Sequence, residues 1–135
     1  MKPSDNNCYW WSAVSLRIAH KELDAGRVTE ELGISPSISL APGASQIHHG
    51  DCKSAGYWCG GMRIDYPKSP TELINWIENL VEVNEGFLQS VIDSGADVNT
   101  YLGVHANVMS VGFDIPATPV LNRLRIRMGI EFFGR

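Results

Sequence analysis

The chain has 135 residues, 44% of them hydrophobic, with 11 Lys and Arg against 15 Asp and Glu and a net charge of −4. This length supports one globular domain over residues 1–135 and is too short for two domains of ordinary size. The negative charge argues against nucleic acid and against an anionic membrane surface as partners. No apolar run resembles a signal peptide or a membrane span, so we expect a cytoplasmic protein.

The first part of the chain predicts a strand, a short helix and a long loop. Apolar and polar residues alternate over 10–19, which is typical of a strand with one buried face. The next segment predicts a short helix with Asp24 as its N-cap and Gly33 at its end. We expect a long loop over 39–56, because prolines and glycines interrupt any period there, and disorder over 1–8.

The second part begins with "YWCGGMRIDY", which predicts a strand whose glycine pair indicates a bulge or a close backbone approach. The capping-box pattern "SPTE" then opens a long amphipathic helix, which we expect to kink at Gly86 and to end at Gly95. Alternation over 98–104 and again over 109–115 predicts two strands joined as an antiparallel hairpin.

A last helix over 118–128, stopped by Gly129, and the strand "IEFFG" complete the predicted elements. Residues 57–134 therefore follow the order strand, helix, strand, strand, helix, strand. This is the split β-α-β order of a ferredoxin-like fold. The N-terminal strand and short helix would be added to the same sheet, and the predicted class is α+β.

Three arginines alternate near the end of the predicted last helix: Arg123, Arg125 and Arg127. Cations are favourable near a helix C-terminus, so we interpret these side chains as solvated charges. No glycine-rich cradle accompanies them, which argues against a phosphate site.

Five segments carry a family resemblance: "SAVSLRI", "LDAGRVTEELGISPS", "GYWCGGMRI", "SPTELINWIENL" and "GFDIPATPVLNRLRIRMGIEFFG". From about Tyr9 onward the chain resembles domain-of-unknown-function family 4279, a group of small bacterial proteins. The resemblance implies a cytoplasmic single domain with no established reaction, sometimes expected to be an accessory or partner-binding protein. It supplies no active-site residues, and "IHHGDC" departs from the family pattern.

The segment "IHHGDC" offers metal-ligand atoms at His48, His49 and Cys52, and Cys59 or His105 could complete a tetrahedral site. Adjacent histidines in an extended backbone point to opposite sides, so both cannot easily bind one ion. The spacing also lacks a paired Cys-x-x-Cys or His-x-x-x-His unit, and a solvated loop is the competing interpretation. The odd set of three cysteines indicates reduced thiols.

A nucleophile is the other chemical hypothesis for this loop, with Cys52 as thiolate and His49 as base. An adjacent Asp51 raises rather than lowers a thiol pKa, and no known nucleophile motif surrounds the cysteine. We therefore assign no catalytic residues and no cofactor.

Aromatic residues cluster in sequence at the starts of two predicted strands: Tyr9, Trp10, Trp11, Tyr57 and Trp58. Trp10 and Trp11 face opposite sides of a strand, so at least one lies outside the main core unless another segment covers it. An uncovered tryptophan is a suitable anchor for a partner or ligand, whereas the competing interpretation has the long loop packed over it.

These observations favour a non-catalytic module that binds a protein partner. The residues assigned to its binding surface are Trp11, Tyr57, Trp58 and His49. The alternative is a small-molecule or metal-binding protein, or an enzyme, centred on residues 47–59. The metal ligands in that alternative are His48, His49, Cys52 and Cys59. A third hypothesis is a homodimer formed by pairing exposed sheet edges.

Overall fold

The computed structural model describes residues 9–42 and 56–134. Predictions for residues 1–8 and for 43–55 of the long loop lie outside these residues. The strands are β1 (Trp10–His20), β2 (Ile38–Leu40), β3 (Gly56–Asp65), β4 (Asp97–Ala106) and β5 (Arg127–Phe133). The helices are α1 (Ala25–Leu32), α2 (Thr71–Val83), α3 (Glu85–Asp93) and α4 (Pro119–Arg123). The α+β class is thus confirmed. Among the described residues, no helix is long and apolar enough to cross a membrane.

The five strands form one mixed sheet in the order β2-β3-β1-β4-β5. β1 pairs antiparallel with both β3 and β4, β2 pairs antiparallel with β3, and β4 pairs parallel with β5. The more specific ferredoxin-like prediction is not confirmed. The N-terminal strand lies at the centre of the sheet, and no strand forms between 107 and 118.

The core lies between one face of this sheet and the helices. Alternate residues of β1 are buried there, as the sequence pattern predicts, namely Ser12, Val14, Leu16 and Ile18. α2 covers them with an apolar stripe formed by Leu73, Ile74, Ile77 and Val81. Trp58 is the largest fully buried side chain, and its indole N–H donates to Thr29 Oγ1 at 3.0 Å.

The glycine pair in β3 marks a close approach and not a bulge. Pairing with β1 continues through both glycines, with Leu16 opposite Gly60 and Ser15 opposite Gly61. A Cβ on Gly61 would lie 1.8 Å from the carbonyl oxygen of Val14, so no larger residue fits this backbone.

The N-terminal helix follows the sequence prediction. The Asp24 carboxylate accepts from the Arg27 N–H at 3.1 Å, and Gly33 ends the helix with a φ of 70°. The loop prediction that follows is wrong in its first residues, because β2 pairs with β3 there. Three residues are too few to show a strand period in the sequence.

The predicted long helix is divided at Asn84 into α2 and α3. The Asn84 side-chain amide donates to the Leu80 carbonyl at 2.9 Å, which competes with the helical pattern. The kink predicted at Gly86 is therefore a break two residues earlier. The predicted stop is confirmed at Gly95, which has a φ of 99°.

The predicted strand over 109–115 and its hairpin are wrong. Because β4 and β5 are parallel, the chain must return to the start of β4 before β5 begins. Within this return, Val111 and Phe113 pack partly against the core, whereas Met109 is 85% exposed. The alternation therefore reflects one-sided packing of an extended connection and not strand pairing.

The predicted last helix is also shorter than expected, since α4 ends at Arg123. The Arg125 N–H donates to the Asn122 carbonyl and the Ile126 N–H to the Leu121 carbonyl, which are the two bonds of a Schellman motif. Arg125 occupies the left-handed position of this motif with a φ of 59°. Arg127 and Gly129 belong to β5, so the three arginines do not share one helix end.

Candidate functional site

The sheet face opposite the helices carries a set of polar and aromatic side chains, which we call the open face. Register brings alternate residues of four strands together on it. Its members in mutual contact are Trp11, Arg17, Arg63, Asp65, Tyr101, His105, Glu131 and Phe133.

Three rings on this face are stacked across three neighbouring strands. Trp11 lies directly opposite His105, and His105 lies directly opposite Phe133. The Trp11 and His105 ring centroids are 4.0 Å apart at an interplanar angle of 5°, and the His105 and Phe133 centroids are 4.4 Å apart at 11°. These separations are close to the spacing of about 4.8 Å between strands, so the rings stand side by side on the sheet.

Arg63 closes the β3 end of this stack. Its guanidinium carbon lies 4.1 Å from the Trp11 ring centroid, and the same side chain forms an ion pair with Asp65 at 3.0 Å. We call the four side chains Arg63, Trp11, His105 and Phe133 the aromatic row. Both faces of Trp11 and of His105 are covered within it.

Stacking leaves the ring edges of the aromatic row and the outer face of Phe133 uncovered by the described residues. Trp11 and His105 are half-buried, and Phe133 at the sheet edge is 41% exposed. Within the described residues neither Trp11 nor His105 makes a side-chain hydrogen bond, so the indole N–H and the imidazole nitrogens keep unused hydrogen-bonding capacity. A planar ligand has no free face of Trp11 or His105 on which to stack.

A second cluster lies further along the open face. The Arg17 guanidinium sits 4.5 Å from the Tyr101 ring centroid, and the Tyr101 hydroxyl donates to the Glu131 carboxylate. This hydrogen bond raises the pKa of Tyr101 above its ordinary value. The Nε of Arg17 is buried and has no hydrogen-bond partner in the described parts of the chain.

The structure separates the aromatic residues that the sequence analysis grouped together. Because β1 and β3 are antiparallel, Trp11 lies opposite Asp65, whereas Tyr57 lies opposite Ala19. Tyr57 and Asp65 are eight residues apart along β3, which corresponds to about 26 Å. Trp11 belongs to the open face, and Tyr57 and Trp58 lie at the other end of the strand pair.

The other two aromatic binding candidates have different surroundings. Trp58 is completely buried, so it is a core residue and offers no surface for a partner. Tyr57 is half-buried, and burial, followed by the neighbouring Cys59, raises the pKa of its phenol. Neither contacts the aromatic row.

The metal hypothesis rests mainly on residues outside the described ranges. His48, His49 and Cys52 lie there, so the metal site and the binding role of His49 stay predictions. Cys59 is buried and has a free thiol. Over 9–42 and 56–134, no three His, Cys, Asp or Glu side chains are grouped so that they could hold a metal ion.

Comparison with family models, with curated proteins and with solved structures finds no match for this chain. The resemblance to family 4279 therefore stays a prediction.

Sequence reasoning missed three of the four members of the aromatic row. The hairpin predicted between 98–104 and 109–115 would place His105 in its turn, but His105 lies within β4. A signal for it was present, since His105 and Tyr101 alternate with the buried residues of a predicted strand. Phe133 and Arg63 required the strand order, which local pattern does not contain.

Proposed function

We propose that this chain is a small, non-catalytic cytoplasmic module that binds a protein partner through its open face. The observation that supports this most is the aromatic row, in which Trp11, His105 and Phe133 are stacked in parallel on an open sheet face. Tryptophan and arginine are the residue types most enriched at the energetic centres of protein interfaces.

The geometry of the row favours a protein over a nucleobase or a sugar ring. Nucleobases bind by stacking on the free face of an aromatic ring. Here Arg63 and His105 cover the two faces of Trp11. The ring edges carry partial positive charge and suit edge-to-face contacts and carboxylate or carbonyl oxygens, which protein side chains and backbone supply.

The charge on this face is balanced. Arg17, Arg63 and Arg127 are accompanied by Asp65, Asp97 and Glu131, so the net charge of −4 is not concentrated here. Affinity at a balanced, partly apolar surface depends weakly on salt, because long-range attraction contributes little. We therefore expect contacts of both charge signs with the partner and no steering by one large patch.

Affinity capture followed by direct binding tests this proposal. The full chain and a Trp11→Ala variant would be immobilised and exposed to a lysate of the organism that encodes the chain. A Val83→Ala variant serves as control, because Val83 is 74% exposed and ends α2 on the helical side of the sheet. A protein retained by the wild type and by the control, and lost from the variant, would then be purified for calorimetric titration.

The expected result is a dissociation constant at least about tenfold weaker for the Trp11→Ala variant, which corresponds to about 1.4 kcal/mol. Circular dichroism must show that the variant remains folded. If the purified partner binds both chains equally, the open face is not the binding surface.

A further inference from the structure

The outer edge of β5 borders the open face, to which this strand contributes Glu131 and Phe133. β5 is the last strand in the sheet order, so one side of its backbone has no neighbouring strand among the described residues. An unpaired edge of seven residues is long enough to pair with another strand. Natural proteins commonly protect such edges with lysine, proline or a bulge, and β5 contains neither lysine nor proline.

Apolar side chains flank this edge. On the helical side, Ile130 is 45% exposed and Phe132 is 39% exposed. Met128, on the same side of the strand, is only partly buried. A strand added to β5 would cover these side chains, which the helices leave in contact with solvent.

The charges of β5 are complementary to a second copy of the same strand. In an antiparallel pair related by a two-fold axis, placing Gly129 on the axis sets Arg127 opposite Glu131 of the second copy, and Glu131 opposite its Arg127. The same register sets Met128 opposite Ile130 of the second copy on the other side of the sheet. Opposite charges directly across a strand pair are stabilising, and like charges are destabilising.

The two charged residues are available for this pairing. Arg127 is exposed and forms no ion pair with any of the described residues. Glu131 accepts from Tyr101 through Oε1, and its other oxygen has no partner among the residues that the structure describes. The Arg127 carbonyl accepts from Thr100 Oγ1 at 2.8 Å, and this bond involves no side-chain atom of Arg127.

We propose that the chain forms a two-fold symmetric dimer through antiparallel β5 edges, with Gly129 on the axis and two ion pairs between Arg127 and Glu131. The occupant of this edge is a second copy, because antiparallel pairing of β5 with itself sets a positive residue opposite a negative one at both charged positions. Two sheets would become one sheet of ten strands, and the two open faces would lie side by side.

Sedimentation velocity of the full chain at increasing concentration tests the dimer, and charge reversal tests the register. We expect Arg127→Glu and Glu131→Arg each to weaken the dimer at least about tenfold, since each replaces two attractions by two repulsions. An equimolar mixture of the two variants should recover dimerisation as a heterodimer, because each charge then faces its opposite. Tyr101→Phe is the control for the lost hydrogen bond to Glu131 and should leave dimerisation unchanged.

Two results would overturn the proposal. One is a monomer at every concentration up to about 1 mM, at which even a weak edge pair would be populated. The other is a dimer that neither charge variant weakens. If a charge variant fails to fold, Ile130→Lys provides a second test, because an edge lysine should abolish strand pairing while the chain remains folded.

Discussion

The Trp11 indole and the His105 imidazole lie in parallel across β1 and β4, with their centroids 4.0 Å apart. His105 in turn stacks on Phe133, so one ring links a central strand to the sheet edge. This arrangement covers both faces of the His105 ring and leaves its edge unstacked.

The stacking should be measurable as coupling between the two residues. In a cycle of Trp11→Val, His105→Val and the double variant, we expect a coupling free energy of about 0.5–1.5 kcal/mol. Urea unfolding of the four proteins measures it. Trp11→Val combined with Val83→Ala is the control and should be additive. Additivity of the Trp11 and His105 substitutions would show that the stack contributes no stability.

The buried indole of Trp58 should depend on its single side-chain partner. Thr29→Val keeps the shape of the residue but removes the acceptor of the indole N–H, which lies 3.0 Å away. A buried donor without a partner costs about 1–3 kcal/mol, and urea unfolding should show this loss. Thr29→Ser retains the hydroxyl and should lose less. Equal losses for the two variants would mean that the hydrogen bond is unimportant.

Glu78 should stabilise α4 from a neighbouring helix. Its carboxylate accepts from the Val120 N–H at 2.7 Å and from the Leu121 N–H at 3.1 Å. Glu78→Ala leaves both donors without this acceptor, so we expect a loss of about 1–2 kcal/mol in thermal or urea unfolding. Glu82→Ala, an exposed carboxylate on the same helix, should change stability by less than about 0.5 kcal/mol. Similar effects of the two substitutions would contradict the capping role.

Tyr101 should produce an alkaline transition. Its pKa is raised because its hydroxyl donates to Glu131, and ionisation would replace this bond by repulsion. The bond therefore contributes fully below the ordinary tyrosine pKa of about 10, and its contribution is lost as pH rises through the raised value.

Absorbance at 295 nm follows this phenol during an alkaline titration. The difference between wild type and Tyr101→Phe should have its midpoint above the ordinary tyrosine pKa, and Glu131→Gln should lower that midpoint. A difference curve at or below the ordinary pKa would contradict the assignment.

The local elements were predictable because their signals lie within a few residues. Alternation predicted β1 and its buried face, and Asp24 and Gly33 predicted the two ends of α1. The errors arose where the same local pattern serves a different purpose. Val111 and Phe113 are spaced like residues of a strand because one side of the segment that connects β4 to α4 packs against the core. The apolar stripe of the predicted long helix continues past Asn84, although the helix itself is interrupted there.

The candidate site was predictable only in part. Alternation along β1 indicated that Trp10 and Trp11 face opposite sides, so that at least one of them lies outside the main core unless another segment covers it. Its neighbours follow from strand order and register, which bring His105 and Phe133 beside it from distant parts of the chain. Glu78 shows the same limit, because a carboxylate on an amphipathic helix is typically solvated, whereas here a distant segment brings two backbone donors to it.

Site-specific photo-crosslinking tests the binding role of the open face most directly. p-Benzoylphenylalanine would replace Phe133 in one chain and Val83 in another, and both chains would be irradiated with the captured partner. We expect a covalent complex with the partner from position 133 and little or none from position 83, and mass analysis separates this product from a crosslinked dimer of the chain itself. Efficient crosslinking to the partner at position 83 and none at position 133 would show that the open face is not the binding surface.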